Sequence, residues 1–264
     1  MKLRALSHKG EIGGEVRPLY FYKSFGKKVD DARIISFGAC NFSCPYCKRN
    51  GNFRSSDGSI ISSVECSIDD IFKIVDDAIE KKQVIRLSGG DPVVYPEASL
   101  EIAKRVKEKK GRLSVAHNGS SPKFIKKLIA LGLESAAIDL KGTSEDLGTR
   151  AGLKYGMGAK MYRRSIETQD LLSSAGILVD VRTPLFSTVT LDDLLEMAED
   201  IVRGGNGENE FWTLRIYKKV VGCEWEPPRS IENVIWMIKE VKAEFNNLKI
   251  GLRAKWEPSG FMYF

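Results

Sequence analysis

Arg33-Ile34-Ile35-Ser36-Phe37-Gly38-Ala39-Cys40-Asn41-Phe42-Ser43-Cys44-Pro45-Tyr46-Cys47 is the stretch that decides the fold. It opens with an apolar run of strand length, Arg33–Phe37, and then places three cysteines within eight residues. Working outward, short apolar runs alternate with amphipathic stretches of roughly 12 to 18 residues, the pattern of βα units and a parallel sheet. Six strands are predicted: Arg33–Phe37, Val84–Ser88, Leu113–Ala116, Ala136–Leu140, Leu178–Thr183 and Thr213–Tyr217. Helices should separate every pair. Apolar residues recur at helical spacing in Ile68, Ile71, Ile74, Val75 and Ile79, and again in Leu191, Leu194, Leu195, Met197 and Ile201. Ser67, Pro122 and Thr190 stand where helix starts are expected.

A further helix pattern over Ile231–Phe245 leads to an apolar segment, Leu248–Leu252, and an aromatic tail, Phe261-Met262-Tyr263-Phe264. The tail is expected to cap the rim of the α/β core, with a substrate-facing wall as the alternative. Ser55–Ser63 and Gly204–Glu210 are polar and Gly/Ser-rich and read as loops. No repeat or linker divides the 264 residues, so a single domain is expected, its core over about 32–220 and its C-terminal helix and tail as a cap.

Composition narrows the class. Hydrophobic residues make up 42% of the chain, enough for a sizeable core, yet no apolar run approaches the roughly 20 residues of a membrane span. Lys2, Arg4 and Lys9 have no apolar stretch behind them, so the first ten residues do not read as a secretory signal, and a cytoplasmic location is expected. The net charge of +6 fits a solvated basic surface or a dock for an acidic electron donor. Without a ribonucleoprotein motif, a helix-turn-helix signature or zinc-finger spacing, nucleic acid is not the expected partner.

The five cysteines are odd in number and clustered, which suits a metal site in a reducing compartment better than a disulfide framework. Cys40, Cys44 and Cys47 follow the first strand, where a parallel α/β barrel presents its C-terminal loops. Iron–sulfur clusters are normally held by four thiolates, so three would leave one iron open to an outside ligand. Zinc is the alternative, with Cys66, Cys223, His8 or His117 as its fourth ligand. Cys66 and Cys223 otherwise read as ordinary buried thiols.

The C-x3-C-x2-C spacing, with Tyr46 beside its last cysteine, resembles the radical S-adenosylmethionine (radical SAM) superfamily. That resemblance implies a partial (β/α)6 TIM-like barrel, a 4Fe–4S cluster on the three cysteines, and S-adenosylmethionine on the open iron through its amino and carboxylate groups. One electron from a reduced flavodoxin or ferredoxin would cleave the cofactor to a 5′-deoxyadenosyl radical that abstracts hydrogen from a substrate. Leu87-Ser88-Gly89-Gly90-Asp91-Pro92 is similar to the family's segment for the cofactor amino group, with Asp91 where Glu is usual.

Two further turns are similar to those of the glycyl-radical-enzyme activases, typified by the pyruvate formate-lyase activating enzyme. Ala116-His117-Asn118-Gly119 matches their Asp-Thr-Asn-Gly turn, and Ile138-Asp139-Leu140-Lys141-Gly142 their Asp-Leu-Lys motif. The resemblance places Asp139 and Lys141 in the cofactor pocket, Arg182 near the cofactor carboxylate, and Tyr217 where activases carry a cofactor-contacting His. Ala116 and His117 replace the activases' cation-holding pair, so no such cation is expected. The implied substrate is a glycine of a partner protein. A small molecule, nucleoside or peptide is the second possibility, with Gly142–Lys160 shaping the pocket, and a non-catalytic metal scaffold is the third.

Overall fold

The computed structural model describes residues 1–8, 11–13, 15–18, 31–47, 62–205, 209–220, 222–254 and 261–264. In chain order, strands β1 (Lys2–His8), β2 (Glu11–Ile12), β3 (Val16–Pro18), β4 (Asp31–Phe37) and β5 (Ser62–Ser67) come first. Then follow α1 (Ile68–Glu80), β6 (Val84–Gly89), α2 (Pro96–Glu108), β7 (Arg112–His117), α3 (Pro122–Ala130), β8 (Leu133–Asp139), α4 (Leu147–Arg150) and α5 (Gly158–Ser174). The last elements are β9 (Leu178–Leu185), α6 (Leu191–Gly204), β10 (Glu210–Ile216), α7 (Ile231–Glu244), β11 (Ile250–Arg253) and β12 (Phe261–Tyr263).

Strands β4, β6, β7, β8, β9, β10 and β11 lie side by side in that order, every neighbouring pair parallel. A helical crossover joins each to the next, so the six predicted strands and their separating helices are present. The path is open, with antiparallel strands at both edges: β1 on β4 at one end and β12 on β11 at the other. This α/β architecture is the partial TIM-like barrel that the sequence predicts.

Local chemistry explains the helix starts. Ser67 and Thr190 each close a capping box, with Asp70 and Asp193 reaching back to the cap N–H. Pro122 sits in the first turn of α3, where its missing N–H costs nothing, and Ser121 caps it. Apolar positions at helical spacing, such as Ile71, Val75 and Ala78 on α1, are buried.

Alternation along the strands separates two environments. Ile35 and Phe37, Ile85 and Leu87, Leu113 and Val115, Val179 and Val181, and Trp212 and Leu214 are all buried and belong to the main core. The intervening positions run in three layers along the barrel axis. Ala32, Ile34, Val84 and Leu178 form a small apolar floor. Above it lie buried polar groups, among them Arg86, Ser114, Ser135, Asp180 and Thr213. Charged residues sit at the C-terminal strand ends, where this architecture places its chemistry.

Three expectations need correction. Leu248–Leu252 contributes a seventh parallel strand rather than a loose apolar segment, because β11 pairs with β10 from Trp212↔Ile250 to Arg215↔Arg253. The aromatic tail, expected to cap the barrel rim, forms the last strand of the sheet. It pairs antiparallel with β11, and its Phe261 and Tyr263 rings lie 6.2 and 6.0 Å from Phe211 at the start of β10. Residues 62 and 63, read as loop, begin β5, where the alternating apolar residues of β1 pair with it from Lys2↔Ser67 to Ser7↔Ser62. The rest of the Ser55–Ser63 loop and positions 206–208 lie outside the described residues. Among the described residues no helix is long and apolar enough to cross a membrane.

Candidate active site

The cysteine loop leaves the end of β4 and is pinned from two sides. Gly90 and Asp91 N–H groups donate to Phe37 O and Ala39 O at 2.7 and 2.8 Å, and Ser43 N donates to Ala151 O at 3.0 Å. Gly89 and Gly90 are glycines because the cysteine loop fills the space of a side chain. A Cβ on Gly90 would fall 1.9 Å from Ala39 O, and one on Gly89, at φ +109°, 2.2 Å from Phe37 N. The glycine pair therefore brings the β6 turn into backbone contact with the cysteine loop.

Asp91, 1% exposed, ties this turn to the end of β7. Its Oδ1 accepts from Val93 N at 3.0 Å and from His117 Nδ1 at 2.8 Å, and its Oδ2 accepts from Asn118 N at 2.8 Å. His117 Nε2 accepts from Ser121 N at 3.3 Å, so the partners put the ring proton on Nδ1. The Asp91 carboxylate and the His117 ring are thus engaged within the protein, the His117 side chain being fully buried, which leaves the backbone of the glycine turn as the ligand-facing part.

Asn118 does reach the cysteine loop. Its Nδ2 donates to Asn41 Oδ1 at 2.7 Å and points to Cys40 Sγ at 3.8 Å, while Phe42 N donates to the same sulfur at 3.4 Å. Desolvation by the packed loop pushes the Cys40 thiol up to about 11 despite the Phe42 N–H, and burial likewise raises Cys44 against the opposing pull of Lys141. Three soft sulfurs in one loop are a donor set that fits an iron–sulfur cluster. Among the described residues no three His, Cys, Asp or Glu side chains are gathered closely enough to grip a single metal ion. Two candidates for a fourth zinc ligand are engaged elsewhere: His117 as described, and Cys66, whose Sγ lies 3.7 Å from Leu3 O in the β1–β5 pair. Cys223 is buried, as expected.

The other side of the mouth is built from charged side chains. Lys141 Nζ donates to Asp139 Oδ2 at 2.9 Å and lies 6.0 Å from the centre of the Tyr46 ring. Burial would lift the Asp139 carboxyl, but Lys141, Arg215 and Arg182 outweigh it and hold the group below the ordinary carboxylate range. Burial works against the Lys141 ammonium too, and Asp139, Tyr46 and Cys44 overcome it, holding the group well above its ordinary value. Arg182 donates through Nε to Asp180 Oδ2, and Thr213 Oγ1 donates to Asp180 Oδ1.

Tyr46 sits in an aromatic box with Phe186 at 4.9 Å, Trp225 at 5.5 Å and Tyr217 at 6.1 Å between ring centres. Among the described residues its buried hydroxyl has no hydrogen-bond partner. The Tyr217 hydroxyl accepts from Val220 N at 2.9 Å, and its ring closes the box. The Gly142–Lys160 segment buttresses the cysteine loop and lines a cavity of about 580 Å³ with Asn41, Phe42 and Ser43.

Sequence reasoning missed Arg215, Phe186, Trp225 and Arg150, whose guanidinium stacks 5.6 Å from Phe186 and pairs with Asp146. For Arg215 a signal was present. Asp180 with Arg182, and Thr213 with Arg215, are polar pairs two apart in strands otherwise apolar, which marks a shared polar face.

The sequence profile of the Radical SAM superfamily matches residues 34–201. A Pyrococcus abyssi protein named a probable GTP 3′,8-cyclase is 27% identical over 242 residues, covering 88% of this chain and 70% of that protein. A Methanocaldococcus jannaschii protein named as a candidate glycyl-radical enzyme activating enzyme is 29% identical over 179 residues, covering 67% and 68% of the two chains. Streptococcus suis SuiB bound to S-adenosylmethionine superposes with a TM-score of 0.62 at 13% identity. That match covers 83% of this chain and 49% of SuiB, so the chain spans about half of that protein, and the likeness speaks to fold alone.

Proposed function

The chain belongs to the radical SAM superfamily, whose enzymes use a 4Fe–4S cluster and S-adenosylmethionine, and on that premise we propose that Cys40, Cys44 and Cys47 carry the cluster and that the mouth of the barrel holds cofactor and substrate. Cys40, Cys44 and Cys47 would hold the cluster through their thiolates, and the bound group would supply one-electron reductive cleavage of the cofactor and, through it, hydrogen abstraction from the substrate. The observation that carries this reading is the backbone contact between the glycine turn and the cysteine loop, which leaves no room for a side chain between cluster ligands and cofactor segment.

The residues of this chain have separable tasks. The carboxylate of Asp91 fixes the turn that meets the cysteine loop, and Asn118 orients Cys40 and Asn41. Tyr46 and its aromatic neighbours form a wall that excludes water, and Asp139, Lys141 and Arg182 hold polar groups of the bound molecules. A reduced flavodoxin or ferredoxin delivers the electron, helped by the chain's net charge of +6.

For the substrate, the density of charged side chains at the mouth favours a small polar molecule. A glycine of a partner glycyl-radical enzyme is the second reading, supported by the Methanocaldococcus jannaschii relative. The test is 5′-deoxyadenosine release by anaerobically reconstituted protein given S-adenosylmethionine and a strong reductant. Release by the wild type and none by Cys44→Ala is expected; equal release by both would refute the cysteine assignment. An EPR signal of a glycyl radical on an added glycyl-radical enzyme would shift the substrate to the second reading.

A further inference from the structure

Residues 118–133 and 151–166 gather the chain's excess positive charge. They carry Lys123, Lys126 and Lys127 on α3 and Lys154, Lys160, Arg163 and Arg164 on or just before α5, and not one carboxylate. The whole chain has a net charge of +6, so outside these two segments acids and bases nearly cancel. All of these cations are exposed. Elsewhere on the helices Lys81 pairs with Asp77, Arg105 with Asp76 and Arg203 with Asp200. The two segments form one surface, because α3 packs against α5, and Arg164 and Thr168 donate to the Ser120 and Gly119 carbonyls at 3.4 and 2.9 Å. Cations gathered this densely repel one another, and a partner of opposite charge relieves the repulsion.

This surface borders the cysteine loop. Ser43 N donates to Ala151 O at 3.0 Å, and Asn41 Nδ2 donates to Ser120 Oγ at 2.9 Å. The cavity of about 580 Å³ is walled by Asn41, Phe42 and Ser43 on the loop and by Lys154, Met157 and Arg164 on the basic segment. Residues 41–43 join Cys40 to Cys44, so a molecule seated here is one layer of chain away from the cysteines. None of the mouth residues Tyr46, Asp139, Lys141 and Arg182 lines this cavity. Tyr155, 106% exposed, projects from the turn that Met157 N closes on Lys154 O at 3.1 Å. A fully exposed aromatic ring within a basic rim has the composition of an interface anchor.

We infer that the cysteine loop, residues 151–166 and the start of α3 form the docking surface for an acidic one-electron carrier protein, a reduced flavodoxin or ferredoxin, with Tyr155 as its anchor. This rests on the radical SAM reading and gives its electron donor a place on the chain. A substrate must enter the mouth, whereas an electron need only reach the cysteine loop from outside. The carrier's flavin or iron–sulfur group gives up one electron, the cluster on the cysteines takes it up, and no bond is made or broken at the interface. Nucleic acid would match the charge, but Phe124 and Tyr162 of these segments are buried, which leaves no row of rings on which bases could stack.

The test mixes cluster-loaded protein anaerobically with flavodoxin hydroquinone, or with reduced ferredoxin, and follows bleaching of the cluster by stopped-flow absorbance, with dithionite as the small reductant for comparison. Reduction by at least one carrier should slow about tenfold or more in Lys154→Glu/Arg163→Glu, and most of that difference should vanish at about 0.5 M salt. Dithionite should reduce both proteins at rates within about threefold, and Lys239→Glu on α7 should leave the carrier's rate within about twofold. Tyr155→Ala should raise the carrier concentration needed for half-maximal rate about tenfold. A wild type reduced by neither carrier, equal carrier rates in the wild type and the double variant, or equal slowing with carrier and dithionite overturns the surface. If the double variant instead loses affinity for a single-stranded RNA oligonucleotide while its carrier rate is unchanged, the surface serves nucleic acid and the inference fails. Failure of the underlying reading looks different: the wild type would release no 5′-deoxyadenosine even with dithionite.

Discussion

The two sides of the barrel mouth are built on opposite principles. On the side of β4, β6 and β7, the polar groups that meet the cysteine loop are spent: Asp91 on Val93, His117 and Asn118, His117 on Asp91 and Ser121, and Asn118 on Asn41 and Cys40. Facing the ends of β8, β9 and β10, capacity is left over among the described residues, at Arg215 Nε and at the hydroxyl of Tyr46 in the cysteine loop. A saturated network fixes geometry, and an unsaturated one waits for a ligand. The difference assigns positioning of the cysteines to the first side and recognition to the second.

The sharpest way to break this comparison is at the glycine turn. Gly90→Ala drives a Cβ into the Ala39 carbonyl, backbone against backbone, and is expected to cost roughly 4 kcal/mol or more in urea unfolding and to prevent cluster assembly. Asp91→Ala leaves Val93 N, His117 Nδ1 and Asn118 N buried without an acceptor, a loss of roughly 3–5 kcal/mol by the same assay. Arg215→Gln, on the other side, should change stability by less than about 1 kcal/mol, because it removes a desolvated charge that holds no ordered partner through Nε. A large loss there would mean that Arg215 is structural.

The start of β10 offers a contrast with its end. Burial pushes Glu210 up to about 7, with Asp170 adding to the shift and Gln169 and Ser173 opposing it. The native state thus holds a proton that the unfolded chain releases near pH 4.5, so this group's contribution is greatest below that value and falls as pH rises toward 7. Glu210→Gln should therefore match the wild type near pH 4 and exceed it by up to roughly 3 kcal/mol at pH 8, read from denaturant melts at both pH values. An equal difference at both would show that burial of the acid is not the cause. A modest effect is expected at Cys66, where Cys66→Ala trims a buried thiol of the β1–β5 pair for about 1–2 kcal/mol and leaves iron content unchanged.

Much of this was legible in the sequence, and the misses share a cause. The parallel strands and their helices were readable because apolar runs, capping residues and periodicity are local signals, as at Ser67 and Thr190. The cysteine loop and the glycine turn were readable as motifs, but the reason for the glycines was not, since it lies in contact between segments 50 residues apart in the chain. Asp91 and His117 were placed at the right strand ends, but their bond to each other was not legible. Which way a polar side chain spends its bonds depends on partners that only the fold supplies. The antiparallel β1–β5 pair and the tail strand were missed because strands at the margins of a sheet are set by their neighbours. Arg215 lay in plain view as the second of an alternating polar pair, masked by the apolar residues around it.

Iron and sulfide content after anaerobic reconstitution, measured in parallel on the wild type, Cys44→Ala and Arg215→Gln, tests the division of the mouth most directly. The account predicts about four irons per chain in the wild type and in Arg215→Gln, and loss of the cluster in Cys44→Ala. A full cluster in Cys44→Ala, or its loss in Arg215→Gln, would contradict it.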